Sequence, residues 1–168
     1  DEKRKLKFVD DRLLKSPTIA LMQVKKEVEY MANLAKENLT KSLEGITTGN
    51  EKLSAEIYER EKLINFTNNA VTKYLIKLSP LVDESDEKII GSYFHVLNDL
   101  ERIGDHAVEV AKAAQEMHAK GTVFSAEGQE EQVILRRAVE ALVERTIRAY
   151  AAFDRDEAMK VEPLRRVV

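Results

Sequence analysis

Apolar residues return every three or four positions along most of this chain, the spacing that lines one face of an α-helix. From Pro17 they fall at Leu21, Val24, Val28, Met31, Ala35 and Leu39, and the pattern holds until Gly45. Ser16 ahead of Pro17 supplies an N-cap and a first-turn proline, so a first helix is predicted there. After the turn residues TTGN, Leu53, Ile57, Ile64, Val71, Tyr74 and Leu78 recur with a near-heptad period until Ser79 and Pro80 stop them. This predicts a second helix. A third begins at Asp83, which with Asp86 three residues on resembles a capping box. Two apolar stripes then run to Lys120, one through Ile90, Leu97, Gly104 and Ala111, the other through Ile89, Val96, Ile103, Val110 and Met117. So wide an arc places this helix between neighbours. Its second half is thin at Gly104, Ala107, Ala111 and Ala114, which lets another helix approach closely.

The segment GTVFSAEG reads as a loop in which Ser125 caps a fourth helix, with Leu135, Ala138, Val139, Leu142, Thr146 and Phe153 facing inward. A fifth helix is predicted from near Asp156, with Pro163 in an early turn. Laying the first helix over the fourth, at a spacing of roughly a hundred residues, matches Ala35 with Val139, Leu39 with Val143 and Ser42 with Thr146. The expected architecture is all-α with up-down antiparallel helices. A lead-in of residues 1–15 precedes a three-helix repeat over 16–121, and a partial second repeat over 122–168 supplies one helix and the start of the next.

Composition narrows the function classes. The 168 residues suffice for one domain or a domain and a fragment. Six Gly and three Pro are too few to break long helices often. A net charge of −3 gives no reason to expect nucleic acid as a partner. Zero Cys excludes a disulfide scaffold, a thiolate zinc site and a cysteine nucleophile, and fits a cytoplasmic setting. No apolar run approaches the ~20 residues that cross a bilayer, and the opening DEKRKLKFVDDRLL has no signal-peptide core. A start without Met and an end at LRRVV inside a helical pattern suggest a piece cut from a longer protein.

The candidate chemistry lies in LNDLERIGDHAVEVAKAAQE, from Leu97 to Glu116. On one helix Glu101 and Asp105 stand a turn apart and roughly 40° around the axis, and their repulsion costs roughly 0.2–0.5 kcal/mol. Arg102 and water can compensate, or a bound cation can. The second helix carries a similar pair, Glu61 and Asn65, beside the line through Ile57, Ile64 and Val71. Antiparallel packing of these two helices brings four oxygen-bearing side chains together as a hard-ligand cation site in outline. A merely solvated acidic face fits the same spacing. His95, His106 and His118 do not form the Glu-x-x-His pairs of di-iron bundles and read as structural or surface residues. Asn68 and Asn69 could hydrogen-bond a partner helix but read first as a solvated polar face, and Lys25, Lys26 and Lys36 as residues available to anionic lipid. With no glycine-rich phosphate loop and no nucleophile beside a base, catalysis is not expected.

NDLERIGDHA, followed by small residues, resembles the third-helix signature of PhoU-type domains, and EREKLINFTNNAVTKYLIKLS from Glu59 to Ser79 resembles the PhoU-like domain on the cytoplasmic end of bacterial sodium/phosphate cotransporters. The resemblance implies bundles of three-helix repeats and a regulator of phosphate transport rather than an enzyme. It also implies multinuclear iron or zinc bound through paired acids. Carried over by position, Glu61, Glu101 and Asp105 match those acids, whereas Asn65 departs from the usual Asp and favours a smaller or looser site. The expected cofactor is a divalent or trivalent ion of the iron, zinc or magnesium class. The expected partner is a transmembrane sodium/phosphate transporter domain in cis, or the subunits of a phosphate transporter, at the cytoplasmic side of the cell membrane, with a homo-oligomer as a further option. A free-standing accessory regulator of a phosphate ABC transporter is the related alternative. A carboxylate-bridged metalloenzyme is the alternative of another class.

Overall fold

Long apolar faces with few breakers produce long helices, and the computed structural model describes them over residues 4–48 and 51–120, with positions 133, 134, 137, 141 and 145 besides. Helix α1 spans Pro17–Thr48, α2 spans Glu51–Leu78 and α3 spans Glu84–Ala119. The carbonyl of Ser16 accepts the Ala20 N–H at 2.9 Å, so α1 starts at the predicted serine–proline pair. It continues through Gly45 to Thr48 instead of ending at the glycine. Glycine costs a helix about 1 kcal/mol relative to alanine, but the buried Ile46 next to it keeps this last stretch packed. At the other turn Pro80 sits in a 3-10 segment, Ser79–Leu81, that ends α2. Asp83 then caps α3, its Oδ1 accepting the Asp86 N–H at 2.8 Å. Glu84, Asp86 and Glu87 in the first turn suit the positive end of the helix dipole.

The helices run up, down and up. Near the α1–α2 turn Asn38 donates to the Ile57 carbonyl at 3.1 Å and Arg60 pairs with Glu37 at 2.9 Å. Between α2 and α3, Glu61 lies against Gly104 and Asn68 against Glu101, so numbers rise on one helix as they fall on the other. All three helices pack on one another around a core that includes Val28, Met31, Ile64, Leu75, Tyr93 and Leu100. Burying such side chains contributes about 1.5–3 kcal/mol each, enough to hold helices whose isolated stability is marginal.

The lead-in is part of this core. Val9 is buried among the helices, and Asp10 caps a 3-10 turn at Asp11–Lys15. Glu27, buried in the apolar face of α1, accepts the backbone N–H of Phe8 and is also held by those of Lys7 and Val9. The Tyr74 hydroxyl donates to the Asp10 carbonyl at 3.0 Å. The expected partial second repeat, including Ser125 and Pro163, lies outside the described residues apart from Val133, Ile134, Arg137, Ala141 and Arg145, which are helical. Among the described residues there is no strand, and no helix is long and apolar enough to cross a membrane.

Candidate functional site at the seam of α2 and α3

The four residues singled out by spacing face one seam. Glu61 and Asn65 come from α2, Glu101 and Asp105 from α3, because antiparallel packing turns the two acidic edges toward each other. Glu61 is the buried member, only 9% exposed, and neither of its carboxylate oxygens has a hydrogen-bond donor. Gly104 makes room for it: a Cβ on that residue would stand 2.6 Å from Glu61 Oε2 and 3.4 Å from Ile64 Cγ2. The backbone there is ordinary helix, so glycine is required by space rather than by conformation.

Electrostatics follows from this placement. Burial pushes the Glu61 carboxyl up to about 8, aided by Asp105, the carboxylate it faces, and by the charge of Glu101; Asn65 works in the opposite direction. Two carboxylates are both acceptors, so Glu61 and Asp105 bond only when one holds a proton. The rest of the site is more open. Asp105 is exposed, and Glu101 is half-buried and accepts the Asn68 amide at 2.9 Å.

The Arg102–Asp105 pair that helical spacing allows does not form among the described residues, so no arginine offsets the acids. The histidines stand apart from the site: His95 and His118 are exposed, and His106 faces Glu109 at 3.3 Å on the outer surface of α3. Asn68 takes the second of the roles its spacing allows, a hydrogen bond to a partner helix, in place of a solvated face. It is buried rather than solvated, and its Oδ1 has no donor. Which residue it bridges to, Glu101, leaves no mark in the spacing of α2 alone.

The donor set can be compared with what a cation needs. Among the described residues no group of three or more His, Cys, Asp or Glu side chains is arranged to hold a metal ion. Two facing carboxylates with an amide beside them fall short of a multinuclear cluster. They suit a single hard cation whose remaining positions are filled by water.

These acids lie within a stretch that is recognisable as a whole. The sequence model of the PhoU domain matches residues 28–114, more than half of the chain. The chain belongs to the PhoU domain family. Among its relatives, this PhoU domain is 24% identical over 148 residues to the phosphate-specific transport system accessory protein PhoU homolog of Clostridium acetobutylicum, covering 82% of this chain and 67% of the relative. It is 27% identical over 96 residues to the protein of the same description in Aquifex aeolicus, covering 56% of this chain and 43% of the relative. The chain thus spans about two-thirds of the first and less than half of the second. No solved structure matches it.

Proposed function

We propose that this PhoU domain is an accessory regulator of phosphate-specific transport that acts by contact and not by catalysis. Family membership and the description carried by both relatives support this reading and put the free-standing regulator ahead of a domain fused to a sodium/phosphate cotransporter. The structural observation that carries the cation-responsive part is Glu61: a buried carboxylate with two donorless oxygens, set in a notch that Gly104 leaves open and facing Asp105. A cation there supplies the positive charge that neither arginine nor histidine brings to the seam. Glu61 and Asp105 hold it from opposite helices, and Asn65 adds an amide oxygen. The state of the seam then sets how α2 and α3 pack, and a transporter that prefers one packing is regulated through that difference in affinity.

Elemental analysis of the purified chain beside Asp105→Ala tests the site: equal metal content in the two removes it and leaves the family reading standing. Regulation is tested by expressing the chain in a bacterium that lacks its own PhoU protein. Restored phosphate-dependent control of uptake is the expected result. Failure of the chain to alter that control sinks the proposal.

A further inference from the structure

The lead-in and α2 form a groove of about 680 Å³ that shares no residue with the acidic seam. Arg4, Lys5, Lys7 and Arg12 line one wall, and Lys73 and Lys77 the other. With Asp10 and Asp11 as its acids, the lining carries six positive charges against two negative, a net +4, in a chain whose total is −3.

Some of these cations are engaged. Arg12 pairs with Asp10 at 2.8 Å, Lys77 with Asp11 at 3.3 Å, and Lys7 sits 4.1 Å over the Tyr30 ring. Lys5 and Lys73, from opposite walls, are exposed and have no partner among the described residues.

The groove is also built in advance. Glu27 grips the backbone at Phe8, and Tyr74, itself in the lining, fixes the carbonyl of Asp10. A wall held by buried contacts leaves little ordering cost for a ligand to meet. Its volume is within the range of small-molecule sites, so one orthophosphate leaves most of it empty. The groove is open to solvent, and cations facing each other from two separate elements suit a compact anion lying between them.

We propose that this groove binds a small anion bearing two or more phosphate groups, inorganic or esterified, spanned by Lys5 on one side and Lys73 on the other. The inference is independent of the cation reading of the seam.

Calorimetric titration of the full chain with tripolyphosphate, in EDTA so that no cation acts at the seam, tests it. Saturable 1:1 binding is expected, with orthophosphate at least about tenfold weaker because it reaches one wall only. Exposed ion pairs are individually weak, so Lys5→Gln with Lys73→Gln lowers the tripolyphosphate affinity about three- to tenfold, with thermal unfolding unchanged. The exposed pair Lys26→Gln with Lys36→Gln, on α1 outside the groove, leaves it unchanged. Three outcomes overturn the proposal: no saturable heat, an equal loss in both double variants, or binding seen only as sedimentation with phosphatidylglycerol vesicles.

Discussion

A buried carboxylate asks for donors or positive charge, and among the described residues Glu61 has no cation facing it and only the Asn65 side chain working in its favour. Its cost therefore depends on pH, and the sign can be worked out. The carboxyl titrates near 4.5 when unfolded and is pushed up to about 8 when folded, so between these values the folded chain holds a proton that the unfolded chain has released. Stability contributed by the protonated form is complete below about pH 4.5 and is lost as pH rises toward 8. Glu27, also raised by burial, adds to the same trend. Glu61→Gln is expected to flatten this slope and to exceed the wild type in stability at pH 8, by an amount in the range of a few kcal/mol, while matching it near pH 5. Urea unfolding across that pH range measures it, and parallel slopes for the two proteins refute it. Gly104→Ala attacks the same residue from the other helix. Its methyl group meets Glu61 Oε2 and swings the carboxylate out of the notch. Because alanine returns about 1 kcal/mol of helix propensity, overall stability should change by less than about that amount. The Glu61 titration midpoint, followed by carbon-detected NMR, should fall toward ordinary carboxylate values; a midpoint that stays put shows the notch is not what holds the group.

At the level of elements, the lead-in behaves as a fourth packing unit with almost no regular structure of its own. Its backbone N–H groups have no helix to serve, and Glu27 of α1 supplies the acceptor that they lack. Removing the acceptor leaves part-buried donors unmade, which costs at most about 1–3 kcal/mol. Glu27→Ala is thus expected to lower stability by up to that amount and to release the Phe8 amide to hydrogen exchange, whereas Glu27→Gln, which keeps an acceptor oxygen, should lose less on both counts. Equal exchange at Phe8 in all three proteins would show that the strap is held by Val9 and Tyr74 without help from Glu27. The joint between α1 and α2 follows a related logic. Asn38 is fully buried and ties its amide to the Ile57 carbonyl, fixing the register of the pair beside the Glu37–Arg60 bridge. Apolar stripes alone permit neighbouring registers, and one buried polar bond selects among them.

Across the whole molecule, what the sequence discloses is what depends on neighbours three or four residues away. The apolar lines of α1, α2 and α3, the Ser16–Pro17 start and the Pro80 stop are local, and so is the angular placement of Glu61, Asn65, Glu101 and Asp105 beside those lines. Contacts between distant segments are not: Glu27 looks like a polar intruder on an apolar face until the lead-in is laid across it, and Asn68 looks solvated until α3 brings Glu101 to it. Gly45 misled because a breaker ends a helix only where packing fails to hold it. The seam belongs to this non-local class in its energetics, since Glu61 and Asp105 repel only once the bundle closes. That gives one substitution two opposite effects. In metal-free protein Asp105→Ala removes a like charge from Glu61 and should raise stability modestly at pH 8. With a divalent cation present, a wild-type seam that binds it gains RT ln(1 + [L]/Kd), about 2.7 kcal/mol at a hundredfold excess over Kd, and the variant should gain little. Thermal unfolding with EDTA and with added magnesium, manganese or zinc should therefore reverse the order of the two proteins for the cation that the seam accepts. If the order is the same under every condition, the facing acids are a structural cost of the bundle and not a cation site.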